Sequence, residues 1–185
     1  MEPPRAARGR WGTWANTLSL ARLALVPALG TAILHGQPLA AGGLFALAAA
    51  TDLADGRVAR RRGEASPLGG LVDHAADATL CVVGLAAWAG RGELPVLLAP
   101  LVAAAFVQYV LDSRALAGRT LRTSALGRWN GIAYYVLVAV PIYRDALGLG
   151  GPGRGWILAA GWLLLASTAV SMAGRLLALR APPQA

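Results

Sequence analysis

Residues 51–77 read TDLADGRVARRRGEASPLGGLVDHAAD, and five of the chain's nine acidic residues lie in them: Glu64 and the four aspartates Asp52, Asp55, Asp73 and Asp77. Asp52 and Asp55 are three residues apart and Asp73 and Asp77 four apart, so on a helix each pair points from one face. Two helices joined by the short basic segment between them would aim four carboxylates at one point. Carboxylates that close repel one another unless a cation sits among them. A metal, or something equally positive, is required there.

On both sides of this stretch the sequence is a succession of apolar runs. Runs long enough to cross a bilayer are expected at about residues 17–34, 39–60, 68–90, 94–111, 131–147 and 155–176. The composition agrees: 56% of the 185 residues are hydrophobic, only 14% are charged, and the mean hydropathy is +0.53. Soluble domains carry nearer a quarter charged residues. All 17 basic residues are Arg, which gives a net charge of +8. They cluster between the apolar runs, as the positive-inside rule describes, and this excludes nucleic acid as the partner. With the N-terminus inside, thirteen arginines fall on the cytoplasmic side; Arg91, Arg144 and Arg154 fall outside, and Arg22 lies within the first run. The expectation is an all-α integral membrane protein of six transmembrane helices, with N- and C-termini cytoplasmic and the acidic stretch at the cytoplasmic face. Residues 1–185 form one membrane domain. Residues 1–15, with Arg5, Arg8, Arg10, Trp11 and Trp14, suit a basic interfacial segment at headgroup level. That segment and the run after it differ from a secretory signal in run length and in lacking a small-residue cleavage site. Cys81 stands alone inside an apolar run and reads as a small buried hydrophobe, with no disulfide framework.

Acids in or beside a membrane span cost a few kcal/mol each on insertion scales, about 2.5–3.5 for Asp at a helix centre. A solvated loop position suits Glu64 but not Asp52 or Asp73, because apolar runs continue directly into them. Oxygen ligands without a Cys or paired-His cluster favour a hard cation, Mg²⁺ or Mn²⁺, over Zn²⁺. Such ions bind through carboxylates plus substrate phosphates, and four carboxylates from two helices suffice for a pair of ions. Arg57 and Arg60–Arg62 supply phosphate-pairing groups beside them. Small residues between the acids, such as Ala54, Gly56, Ala59, Gly69 and Gly70, let helices or a ligand backbone approach closely. Metal, phosphate and arginine together point to phosphoryl-group chemistry at a membrane surface.

The same residues carry a family resemblance. Asp52, Asp55, Gly56, Ala59 and Arg60, then eight residues, then Gly69, Asp73 and Asp77, match all eight fixed positions of the pattern D-x-x-D-G-x-x-A-R-x8-G-x-x-x-D-x-x-x-D. The stretch resembles the CDP-alcohol phosphatidyltransferase family. Asn16, Leu18, Ser19, Arg22 and Pro27 are similar to the N-x-L-[ST]-x-x-R-x-x-x-x-P run of glycerophosphate-accepting bacterial members. The resemblance covers residues 16–77 firmly and the later runs only by number and length. It implies a six-helix membrane enzyme, commonly a homodimer, that transfers a phosphatidyl group from a CDP-linked lipid such as CDP-diacylglycerol to an alcohol and releases CMP in phospholipid biosynthesis. It also implies that Asp52, Asp55, Asp73 and Asp77 hold divalent metal, with Asp77 in addition the base for the acceptor hydroxyl. Asn16, Gly56, Ala59, Arg60, Ser66 and Gly69 would line the CDP-lipid site. One departure bears on the acceptor. Glycerophosphate-accepting relatives often read D-P-x-A-D-K where this chain has Asp73-His74-Ala75-Ala76-Asp77-Ala78.

For the acceptor, Arg114, Arg119, Arg122 and Arg128 cluster in the segment between the fourth and fifth runs. They are either ordinary cytoplasmic loop charge or the reader of a phosphorylated alcohol such as glycerol 3-phosphate or inositol 1-phosphate, because Arg grips phosphate bidentately. Arg114 and Arg128, nearest the span ends, are the acceptor candidates. Asp112 is expected to pair with one of this cluster. His74 is a substrate contact or a bystander. Trp88, Trp129, Trp156, Trp162, Tyr134, Tyr135 and Tyr143 read as interfacial or packing aromatics. The competing class is a small cation or proton transporter using the four Asp as its ion site. Transporters commonly place such acids near the midplane between broken helices, whereas these adjoin the Arg-rich turn.

Overall fold

The computed structural model describes residues 14–62, 67–112 and 124–180. These form six helices: α1 (Trp14–Leu34), α2 (Pro38–Arg62), α3 (Pro67–Gly90), α4 (Leu98–Asp112), α5 (Ala125–Ala146) and α6 (Arg154–Arg180). Local chemistry sets the boundaries. α1 ends where Gly36 takes φ +62°, with the Gln37 N–H returning to the Ala32 carbonyl at 2.9 Å. Pro38 then opens α2 at a position where its missing N–H costs nothing. α4 starts at Leu98, four residues later than the apolar run, because Pro95 and the turn at Gly92 (φ +72°) intervene. α5 starts six residues earlier than expected. Ser124 caps it, accepting from the Gly127 N–H at 3.0 Å, and this carries the helix through residues 125–130, which include Arg128 and Asn130.

α1 packs against α2 and α3; α3 meets α4 and α5; α5 meets α2 and α6; and α4 meets α6. Leu29, Ile33, Leu80, Leu85, Trp88, Val138 and Ile142 form the centre of the core. Small residues bring the helices together. A Cβ on Gly84 of α3 would meet Val138 Cγ1 of α5 at 2.7 Å, and one on Gly30 of α1 would meet Val83 Cγ1 at 2.7 Å. Trp88 is a core residue, not an interfacial one, and its Nε1–H donates to the Val138 carbonyl at 3.2 Å. Trp129, Trp156 and Trp162 are exposed.

The outer surface is apolar. Leu39, Val96, Trp156 and Leu163 are 73–78% exposed. Two segments are long and apolar enough to cross a bilayer, Gly69–Gly90 (22 residues) and Arg154–Ala178 (25 residues). At 1.5 Å per residue they reach roughly 33 and 37 Å, against a hydrocarbon core of about 30 Å. The apolar parts of α1, α2 and α4 are shorter, at Ser19–Leu34, Pro38–Leu53 and Leu98–Asp112. Arg91, Arg144 and Arg154 gather at the helix ends remote from the aspartates. Arg144 Nη2 binds Glu93 at 3.0 Å and its Nε binds Asp145 at 2.7 Å, while Arg154 Nη2 donates to the Gly92 carbonyl at 2.6 Å.

Candidate active site

Three of the four aspartates converge as their spacing predicts. One carboxylate oxygen from each of Asp52, Asp73 and Asp77 lies within 4.8 Å of the others. α2 delivers the first, and α3 the other two from successive turns. Asp55 lies one turn beyond Asp52 on α2, and its side chain falls outside the described residues, as do those of Asn16, Gly56, Ala59 and Arg60. Asn16 sits in the first turn of α1; Gly56, Ala59 and Arg60 lie in the last turns of α2. Gly69 sits on α3 one turn before Asp73. Ser66 and Arg114 lie outside the described residues altogether.

The cation among the three acids is Arg22 of α1. Its side chain is fully buried, whereas those of Asp52, Asp73 and Asp77 are 37%, 41% and 24% exposed. Arg22 Nη1 lies 3.1 Å from Asp52 Oδ1 and 3.2 Å from Asp73 Oδ1, and it also donates to Asp77 Oδ1. Ser19, one turn earlier, donates to Asp73 Oδ1 at 3.4 Å. From the other side Tyr135 of α5 donates its hydroxyl to Asp77 Oδ1 at 2.8 Å. Arg22 forms the floor of the cluster, and the partly exposed acids stand above it. The donor set is all oxygen and one guanidinium leaves it net negative, so these residues fit a hard divalent cation.

Sequence reading passed over Arg22 and Tyr135 as members of the site. The signal for Arg22 was present: a permanently charged side chain in the interior of an apolar run needs a named partner. Tyr135 carried no such signal, since nothing local distinguishes it from Tyr134, which bonds to Thr168 Oγ1 at 2.8 Å instead. The acids also sit deeper than their closeness in sequence to the basic turn suggests. Asp77 is the eleventh of the 24 residues of α3, roughly 15 Å along its axis. Depth therefore does not separate this site from a transporter's.

Beside the cluster, α3, α4, α5 and α6 enclose a cavity of about 360 Å³. Its walls are largely apolar, and Asp77, Tyr135, Arg128, Arg175, Asn130 and Gln108 are among the polar residues that line it. Of the two acceptor candidates, the structure brings Arg128 to this cavity. Asp112 accepts from Arg175 Nε of α6 at 3.1 Å, where the packed α4 and α6 meet; of the 114–128 cluster expected to pair with it, Arg114, Arg119 and Arg122 lie outside the described residues. Arg175 also stacks on Tyr109, 5.0 Å from the ring centre. His74 lies against Phe106 and Tyr109, at 5.5 and 5.0 Å between ring centres, and lines the same cavity. Cys81 is buried and free, as its small apolar reading expected.

A helical bundle with an apolar exterior and a carboxylate cluster beside a largely apolar cavity that carries a few polar and charged groups suits a membrane-embedded enzyme acting on a phosphorylated substrate with a divalent ion. The chain belongs to the CDP-alcohol phosphatidyltransferase family, whose model matches residues 12–173. It is 32% identical over 187 residues to a probable phosphatidylglycerophosphate synthase of Mycobacterium tuberculosis, covering 93% of this chain and 85% of that one. Shorter matches are to cardiolipin synthase (CMP-forming) of Rattus norvegicus, 45% identical over 69 residues (37% of this chain, 23% of that one), and of Homo sapiens, 39% over 88 residues (40% and 29%). The protein is thus a membrane transferase of phospholipid synthesis, moving a phosphatidyl group from a CDP-linked lipid to an alcohol. Metal dependence is general in the family.

Proposed function

We propose that the protein transfers the phosphatidyl group of CDP-diacylglycerol to glycerol 3-phosphate, forming phosphatidylglycerophosphate and CMP. The observation that carries this reading is the placement of Asp77 and Arg128 on one cavity beside the carboxylate cluster. The near full-length likeness to a probable phosphatidylglycerophosphate synthase supports the same acceptor over inositol 1-phosphate.

Asp52, Asp73 and Asp77, with Asp55 one turn away, would hold the divalent ion, Mg²⁺ or Mn²⁺, as one or two ions. When bound, that ion offsets the charge of the CDP diphosphate. The residues of the chain do the rest. Among the described residues the contacts on Asp77 fall on Oδ1, from Arg22 and Tyr135. This leaves Oδ2 to take the proton of the acceptor hydroxyl. The hydroxyl oxygen then bonds to the phosphorus that carries the diacylglycerol, the bond from that phosphorus to the CMP oxygen breaks, and CMP departs. Arg128 grips the acceptor phosphate. Asn16, Gly56, Ala59, Arg60, Ser66 and Gly69 are assigned to the CDP-lipid on the family pattern.

The same reading places all six helices across the cell membrane, with both termini and the site's opening on the cytoplasmic side; the support is the arginine asymmetry of thirteen to three. The homodimer implied by the family resemblance belongs to this proposal as well. The deciding experiment measures CMP release by purified protein from CDP-diacylglycerol with glycerol 3-phosphate, inositol 1-phosphate, free inositol, serine and phosphatidylglycerol. Turnover confined to glycerol 3-phosphate is the expected result. Turnover only with unphosphorylated alcohols would sink the role given to Arg128.

A further inference from the structure

The buried floor of the cluster has a function of its own. Arg22 is a permanent cation, since a guanidinium does not lose its proton in a protein. It is fully buried in α1, and a single nitrogen, Nη1, is shared by carboxylates from two other helices. A buried charge of this kind is held only by paired partners, and the three acids are correspondingly held together by it. Among the described residues its single positive charge meets three negative ones, which leaves the acids net negative and able to take a divalent ion, so Arg22 and a metal can serve the same acids in succession or side by side.

We infer that Arg22 is a built-in counter-cation: it keeps the carboxylate cluster closed and folded before metal arrives, and it weakens metal binding by occupying the same oxygens. This rests on the reading of the cluster as a divalent-cation site. The geometry supports a positioning role and not a substrate contact, because the Arg22 side chain is fully buried while those of Asp52 and Asp73 are 37% and 41% exposed. The arrangement solves the problem of folding a membrane protein around an acid cluster. Without an internal cation, the free protein would have to bring like charges together in a low-dielectric interior.

The test uses the full-length protein in lipid nanodiscs, with Arg22→Gln and Arg22→Lys variants. Mn²⁺ uptake is followed by loss of the free-ion electron paramagnetic resonance signal, and thermal unfolding is recorded with EDTA or with saturating Mn²⁺. Removing a positive charge in contact with the metal's own ligands should tighten Mn²⁺ binding by about tenfold or more, while Arg22→Lys stays near the parent. In EDTA, Arg22→Gln should melt well below the parent, with Mn²⁺ restoring most of the difference. Should Arg22→Gln be recovered only with metal present, its collapse on chelation is the same result in stronger form. Unchanged or weaker Mn²⁺ binding by Arg22→Gln, or an equal melting loss with and without metal, would overturn the inference and leave Arg22 as a structural brace. A parent protein that takes up no Mn²⁺ would overturn the metal reading itself, and the inference with it.

Discussion

Tyr135→Phe removes one hydroxyl from the site and nothing else. The ring packs edge-on against Phe45, 6.0 Å between centres at 64°, and a phenyl ring keeps that contact. What disappears is the 2.8 Å hydrogen bond to Asp77 Oδ1. A hydrogen bond to a charged acceptor contributes about 1.5–3 kcal/mol. The bond also fixes the plane of the Asp77 carboxylate, and with it the direction of Oδ2 toward the acceptor hydroxyl. If most of that free energy is expressed as orientation in the transition state, kcat falls about ten- to a hundredfold. The assay is steady-state CMP release with each substrate varied in turn. KM for CDP-diacylglycerol should hold within about twofold, since removing an interaction made in the transition state lowers kcat without loosening the ground-state complex. Thermal unfolding serves as the control: at about 2–4 °C per kcal/mol, loss of the whole bond lowers Tm by no more than about 12 °C. A kcat within twofold of the parent would refute the reasoning. So would an increase in rate, which would mean that Tyr135 restrains Asp77 instead of aiming it.

Two further predictions bear on packing and on the acceptor. Gly84→Ala places a Cβ 2.7 Å from Val138 Cγ1, so α3 and α5 must separate and stability should drop by about 1–3 kcal/mol. Adding Val138→Ala should return part of that loss in a double-mutant unfolding cycle, and strict additivity would show that the two side chains do not compete for the same space. Arg128→Ala should raise KM for glycerol 3-phosphate at least about tenfold, in keeping with the loss of a charge-assisted contact, and leave KM for CDP-diacylglycerol unchanged; equal shifts in both constants would place Arg128 on the shared path and not on the acceptor.

The sequence made the aspartates legible because two signals coincide there: carboxylates at helical spacing, and apolar runs that forbid those carboxylates from being ordinary loop residues. The helix order followed from the same runs, and the boundaries failed where local chemistry outweighed hydropathy. Pro95 delayed α4, and the Ser124 cap advanced α5 through residues 125–130. The partners of the aspartates were less visible. Arg22 lies 30 residues from Asp52 and 55 from Asp77, so only the packing of α1 on α2 and α3 reveals that they meet. Asp112 makes the same point: the meeting of α4 with α6 gives it Arg175, 63 residues away, a partner that nearness in sequence does not suggest.

The distribution of charge around the cavity has a direction that bears on the acceptor. Arg128 lies in the first turn of α5, and Tyr135, seven residues further along the same helix, marks the depth of Asp77. Seven residues of helix span roughly 10 Å, a gap that a flexible arginine stem shortens from one end and the aspartate side chain from the other. An acceptor with a phosphate at one end and a hydroxyl at the other therefore has one favourable orientation, phosphate toward the start of α5 and hydroxyl toward Asp77. The reverse orientation would leave Arg128 facing a neutral group and turn the reacting hydroxyl away from Asp77. An unphosphorylated alcohol gains nothing from this polarity and has no preferred end. On the proposed function, the arrangement would discriminate by orientation as well as by affinity: it would favour short phosphorylated alcohols because their charge turns the reacting oxygen toward the base.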